Sequence, residues 1–242
     1  MFKSRPLLER YRLAREFGFK LVEVPFCFSE SADALREAAD SNGLQHVLIN
    51  AKLDEQIGGL ACRGDRREQF RDYLELSVDY AKKLGCSIVH VMAGDGDPAK
   101  DEETFVENIR LAGRQLAEHN ILCVIEPLNS HSFPNYFLRS FEQAQRIVTK
   151  LDEPNVKILF DVFHCQLLHG QLTHWLTTLA PLIGHIQVSQ PPNRNEPNTP
   201  GEVNFDYFFQ LLRDTRPDLL IGAEYFETKE NADWVQQYGL SF

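Results

Sequence analysis

Ile158-Leu159-Phe160-Asp161-Val162-Phe163-His164 is an apolar run that ends on a carboxylate, and three other stretches repeat the design. Ile121-Leu122-Cys123-Val124-Ile125-Glu126-Pro127 ends on Glu126, His185-Ile186-Gln187-Val188 carries an amide near its end, and Ile221-Gly222-Ala223-Glu224-Tyr225 reaches Glu224. Each run is short, apolar or β-branched, and bounded by Gly, Pro, Asn or charge, as a strand buried on both faces should be. Working outward, similar runs at 19–24, 46–50 and 87–92 join those at 121–125, 156–160, 183–188 and 219–223, giving seven strands. Helical patterns lie between them. Phe70, Leu74, Val78, Ala81 and Leu84 interleave with charges, as do Phe105, Ile109, Ala112 and Leu116. Lys82-Lys83-Leu84-Gly85 reads as a helix end, with cations in the last turn and Gly just past it. Asp101 and Ser140 stand where N-caps belong.

The strand centres recur about every 33 residues, the length of a βα unit, which predicts a parallel sheet. A doubly wound sheet would normally carry a Gly-rich phosphate turn after its first strand, and the chain has no GxGxxG or P-loop. Eight such units need about 265 residues, whereas this chain has 242 and opens with a helical stretch at 7–17. The expected fold is therefore α/β, a TIM (β/α)8-type barrel lacking its first strand, with seven strands counted. No linker or composition break divides the chain, so residues 1–242 read as one domain.

Composition narrows the function. Lys and Arg number 25 against 35 Asp and Glu, a formal net charge of −10 that offers no general field for a phosphate backbone or an anionic membrane. No apolar run approaches the roughly 20 residues of a membrane span, and the first residues lack the apolar stretch of a signal peptide. Five scattered cysteines, none in CxxC spacing, suit a reduced, cytoplasmic protein. A small-molecule substrate is expected, with no nucleic acid and no membrane; a homo-oligomer stays open.

The chemistry lies in what ends the strands. Active sites of barrels sit at the C-terminal strand ends. Glu126, Asp161, Gln187 and Glu224 occupy those ends on four consecutive strands. A carboxylate ending an apolar run is costly to bury unless it is paired or bound to a metal. Four hard oxygen donors at one point suit Mg²⁺ or Mn²⁺. Any one of them alone reads as a polar cap turned to solvent; four in register do not.

These residues resemble the hydroxypyruvate isomerase family of the xylose-isomerase-like TIM barrels, closest to its animal members. Supporting stretches are Leu48-Ile49-Asn50, Gly59-Leu60-Ala61-Cys62, Tyr80-Ala81-Lys82-Lys83-Leu84-Gly85-Cys86, Ile125-Glu126-Pro127-Leu128-Asn129 and Phe160-Asp161-Val162-Phe163-His164. Pro200-Gly201-Glu202-Val203-Asn204-Phe205 resembles the family's Gly-Glu signature, and the likeness runs in order from about Phe19 to the C-terminus. The resemblance implies interconversion of hydroxypyruvate and 2-hydroxy-3-oxopropanoate through an enediolate. It implies Glu126 and Glu224 as proton-transfer groups, and Glu126, Asp161, Gln187 and Glu224 as metal ligands. It further implies His164, Arg66 and Glu202 as substrate-binding residues, and Arg194 matches another family arginine. Asn195 stands where many bacterial relatives have histidine.

Alternatives remain beside this reading. One is isomerisation of another 2-oxo sugar acid. Another is a DNA-repair endonuclease of the same superfamily, against which the Gln187 ligand and the net charge of −10 argue. A third follows from the family's first strand and loop, of the type Phe-Ser-Ala-Asn-Leu-Ser-Trp, beyond which this chain starts: an N-terminally shortened barrel, weakly active or inactive, acting as a binding protein. His185 shares Gln187's side of its strand and reads as a packed interior residue. His90 lacks HExxH-type spacing, and Asp95-Gly96-Asp97-Pro98 fails as a calcium loop because Lys100 and Val106 fill the positions of its Gly and Glu.

Overall fold

All seven apolar runs become strands of one parallel sheet in a computed structural model that describes residues 1–241. They are β1 (Leu21–Glu23), β2 (Gln45–Asn50), β3 (Ile88–His90), β4 (Leu122–Ile125), β5 (Val156–Asp161), β6 (Ile183–Val188) and β7 (Ile221–Ala223), paired in chain order. Helix α1 (Leu7–Glu16) precedes β1, and α2 (Ala32–Ser41), α3 (Arg67–Leu84), α4 (Glu102–Ala117) and α5 (Phe141–Leu151) follow the first four strands in turn. After β5 come α6 (Val162–Leu168) and α7 (Leu172–Leu179); α8 (Phe205–Thr215) follows β6 and α9 (Trp234–Gln237) follows β7.

The punctuation read from sequence mostly holds. Ser140 Oγ accepts the Gln143 N–H at 3.1 Å at the start of α5. Gly85, at φ 71°, ends α3 in the left-handed region that glycine enters without strain. Asp101 differs: it stands at the N-cap of α4 but makes no side-chain cap. Its Oδ2 instead accepts the Asp97 N–H at 2.7 Å, so the turn before the helix competes successfully for the carboxylate. Two further glycines mark a close backbone crossing at the barrel mouth. A Cβ on Gly94, itself at φ +85°, would lie 1.9 Å from the Gly59 carbonyl oxygen.

Two apolar layers hold the sheet. The larger joins helices to strands and contains the fully buried Phe105, Phe137, Phe141, Phe160, Phe205, Phe208 and Phe209. A smaller cluster contains Leu48, Ile88, Val124 and Leu159, and forms the floor of the barrel interior. Side chains two residues apart share a strand face. One step on from this floor are therefore Asn50, His90, Glu126 and Asp161, all buried. The interior thus passes from apolar to polar toward the C-terminal strand ends. The five cysteines are buried and unpaired, as small hydrophobes should be.

The ring does not close. Among the described residues no ladder joins β7 to β1. A cavity of about 500 Å³ lies along that seam, bordered by Leu21, Val22, Ile221, Ala223 and Trp234. The N-terminal segment covers part of it, with Phe2 edge-on to Phe17 at 4.8 Å.

Candidate active site

Asp161 ends β5 and caps α6, its Oδ1 accepting the Phe163 N–H at 2.8 Å. The strand-to-helix turn therefore fixes one oxygen and leaves Oδ2 free to face the barrel axis. Oδ2 accepts from Arg194 at 3.0 Å, and the same guanidinium nitrogen lies 3.0 Å from Glu224 Oε2. Register places Gln187 directly beside Asp161. Glu126, just past β4, has Oε1 buried without a partner and Oε2 3.7 Å from His90 Nδ1. All four residues named from the strand ends therefore belong to one polar centre.

Electrostatics there are unfavourable to charge. Burial, then the neighbouring Asp161 and Glu224 charges, push the Glu126 carboxyl well above the ordinary range. Burial pushes Asp161 up to about 7, against the pull of Arg194. Glu224 moves up for the same first reason, although its side chain keeps 37% of its exposure beside the seam. Three carboxyls compete for one guanidinium. This is the state expected of an acidic cluster built around a cation.

The donor atoms of Glu126, Asp161 and His164 lie within 4.8 Å of one another. Hydrogen bonding separates their roles. The Asn129 backbone N–H donates to His164 Nδ1 at 2.9 Å, so the neutral ring carries its proton on Nε2. Burial holds His164 well below its usual pKa and keeps it neutral. With Nε2 protonated, His164 is a donor and not a metal ligand. A further oxygen beside them, Gln187 Oε1, is buried and unpartnered like Glu126 Oε1. Two orphaned buried oxygens beside two ionisable carboxylates fit a hard divalent cation.

Arg194 sits at φ +58° on the loop after β6, its guanidinium 5.0 Å over the Phe163 ring. Two buried residues hold that loop. Gln190 donates to the carbonyls of Pro197, Thr199 and Val203 and accepts the Val203 N–H. Glu196 accepts from Thr228 and the Lys229 N–H, tying the loop to the segment after β7. Glu202 lies on the same loop and accepts from Gln166 Nε2 at 3.4 Å. Arg66 is exposed in the turn before α3, and its side chain meets Asp65 and Gln69.

Several contributors are not evident from strand ends alone. Glu23 reaches across the interior from β1, accepting from Gln187 Nε2 at 2.8 Å and bonding His185 Nε2. His185 is thus an interior residue with a specific partner rather than packing alone. The signal for Glu23 was an acid in the apolar run 19–24, and in the structure it is the last residue of β1, a strand end like those of Glu126 and Asp161. His90 was legible by alternation from Ile88, not by metal-site spacing.

The model of the xylose isomerase-like TIM barrel family matches residues 11–238. A Caenorhabditis elegans protein named "Putative hydroxypyruvate isomerase" is 41% identical over 249 residues, covering 100% of this chain and 95% of its own. The Escherichia coli "Hydroxypyruvate isomerase" is 32% identical and covers 98% of this chain and 96% of its own. Among solved structures, one from Brucella melitensis titled "AP endonuclease, family 2" is similar with a TM-score of 0.93 and 33% identity, covering 98% of this chain and 95% of that one.

Proposed function

The chain belongs to the xylose isomerase-like TIM barrel family, in the branch whose members are named hydroxypyruvate isomerase, and from that premise we propose that it interconverts hydroxypyruvate and 2-hydroxy-3-oxopropanoate. The observation that carries the reading is the pair of glutamates, Glu126 and Glu224, on separate strands of one acidic centre with both carboxyls shifted upward. Moving a carbonyl to the neighbouring carbon takes a proton from one carbon and returns one to the other. Carboxyls shifted upward by burial hold and release a proton more readily than ordinary carboxylates, which suits both steps. Glu126 and Glu224 are assigned as base and acid on opposite sides of the enediolate. His164 donates its Nε2–H to a substrate oxygen, and Arg194 meets negative charge on the substrate from above Phe163.

Glu126, Asp161, Gln187 and Glu224 would hold a Mg²⁺ or Mn²⁺ ion, which when bound supplies Lewis-acid stabilisation of negative charge on the substrate oxygens. Arg66 and Glu202 lie on exposed loops, and Arg66 would reach a substrate carboxylate by leaving Asp65 and Gln69. The net charge of −10 supports a small-molecule substrate over nucleic acid. Five buried thiols support a reducing, cytoplasmic setting.

The test is an isomerase assay on the purified chain with Mg²⁺ or Mn²⁺, with and without chelator, against hydroxypyruvate and longer 2-oxo acids. Glu126→Gln and Glu224→Gln should each lower turnover by about 10²- to 10⁴-fold while the chain still melts cooperatively. Near-wild-type turnover in either variant sinks the assignment. The open seam beside Glu224 favours a second reading, a slow or silent barrel serving as a binding protein. A folded chain inactive on the whole panel with both metals would select it.

A further inference from the structure

A glutamine amide presents an oxygen on one side and an NH₂ of nearly the same size on the other. Shape alone does not stop it offering the wrong end to a cation. In this barrel the choice is made by hydrogen bonds. Gln187 Nε2 donates to Glu23 Oε2 at 2.8 Å. A carboxylate only accepts, so the NH₂ end is held toward β1. Gln187 Oε1 is turned the other way, and it is buried without a partner.

Glu23 is itself secured. Its other oxygen, Oε1, is bonded to His185 Nε2, and His185 lies two residues before Gln187 on the same face of β6. The carboxylate lies over the β7 backbone at Gly222, whose Cα is the ladder partner of Gln187. A Cβ there would stand 2.2 Å from Glu23 Oε1. Gly222 is not in the left-handed region, so its backbone does not require glycine. What requires it is the space taken by the Glu23 carboxylate. Three residues on three strands thus converge to set one amide.

We propose that Glu23, secured by His185 over Gly222, is a positioning residue that holds Gln187 with its carbonyl oxygen toward Glu126, Asp161 and Glu224. Glu23 orients the site through Gln187, and its charge is also felt at Glu126 and Glu224, which is why Gly222→Ala, leaving that charge in place, is part of the test. This inference rests on the reading of those four residues as a divalent-cation site.

The test is Mn²⁺ binding to the purified, metal-stripped chain, read by electron paramagnetic resonance and calorimetry with no substrate present. In Glu23→Gln the introduced amide places its oxygen on the His185 Nε2–H, so its NH₂ meets the NH₂ of Gln187 and the pair must rearrange. Partners that orient ligands typically cost 10- to 100-fold in metal affinity when changed, and a weakening of about that size is expected here. Gly222→Ala should weaken Mn²⁺ in the same direction, because the added methyl displaces the carboxylate while leaving all three polar residues chemically intact. Gln187→Glu offers a cation the same oxygen whichever way it turns. It should therefore improve Mn²⁺ binding more in the Glu23→Gln background than in the wild type.

Circular dichroism melting checks that each variant is folded; should Glu23→Gln fail to fold, Gly222→Ala carries the test. Unchanged Mn²⁺ affinity in folded Glu23→Gln or Gly222→Ala overturns the positioning role and leaves the cation site standing. An equal effect of Gln187→Glu in both backgrounds overturns it as well. A wild-type chain that takes up no Mn²⁺ overturns the cation site, and the positioning role with it.

Discussion

Strands β3 to β6 and the pair β7 and β1 are built from similar residues in different surroundings. On the first side each strand is laddered on both edges, and Val124, Ile158, Leu159 and Ile186 are wholly buried. On the second, β1 and β7 are laddered on one edge only, Leu21 is 37% exposed, and a cavity of about 500 Å³ lies between them. The carboxyls divide in the same way. Glu126 and Asp161 are buried on the laddered wall, whereas Glu224 stands at the seam. The laddered wall fixes geometry and the seam leaves room for exchange with solvent. The proposed site, with one carboxyl buried and one at an open edge, draws on both.

The largest expected contrast is in stability. Ile158 is fully buried on β5, and Ile158→Ala removes three carbons from a packed site, a loss of about 2–5 kcal/mol. Ile221 is half-buried and borders the cavity, so Ile221→Ala should cost about 1 kcal/mol. Urea unfolding of both variants measures the difference, and amide hydrogen exchange should rank β7 and β1 as faster than β4 and β5. Equal losses would break the contrast by showing that the seam is filled and packed in solution.

Much of this was legible in sequence, and the reason is strand periodicity. Seven apolar runs at βα spacing gave the strands in their order, and polar residues ending four of them pointed to the centre, because a carboxylate on an inward position is costly unless paired or bound. Less legible were residues whose role depends on distant partners. Glu23 lies 164 residues from Gln187, and nothing local announces that its carboxylate crosses the interior. The tautomer of His164 depends on the Asn129 backbone, which sequence spacing does not encode. Arg66 and Glu202 were named from resemblance, and the structure pairs them with Asp65, Gln69 and Gln166 on exposed loops. Loop side chains are the part that periodicity leaves undetermined.

A smaller effect is expected from pH. In the metal-free chain burial pushes the Asp161 carboxyl up to about 7 from an ordinary value of 3.8. The folded state therefore keeps a proton that the unfolded state has already released. Stability from this group is complete below about pH 4 and is lost as pH rises through about 7. With chelator present, the melting temperature of the wild type should fall relative to that of Asp161→Asn between pH 5 and pH 8, a comparison in which the opposite pH dependence of the buried neutral His46, His90 and His164 cancels. Relative to Glu224→Gln, which alters a carboxyl that is half-open to solvent, the fall should be smaller. A wild-type melting temperature that rises relative to Asp161→Asn over this window would contradict the buried, protonated state of Asp161.

The smallest effect concerns substrate affinity, and it sets a donor fixed on the laddered wall against one on an open loop. His164 is 1% exposed and aligned by Asn129, so its Nε2–H is aimed before substrate arrives. Arg66 is exposed and already engaged by Asp65 and Gln69, so any gain from substrate is offset by partners lost and rotamers frozen. A hydrogen bond from a neutral donor is worth about 0.5–1.5 kcal/mol net. His164→Asn should accordingly raise KM by about 3- to 10-fold, and Arg66→Ala by about twofold or less. The comparison is made on KM because both residues are assigned to binding, whereas Glu126 and Glu224 are assigned to proton transfer and should lower kcat. A larger KM change at Arg66 than at His164 would reverse the ranking. It would mean that the turn before α3 closes onto the substrate carboxylate and that preorganisation on the laddered wall matters less than capture by the loop.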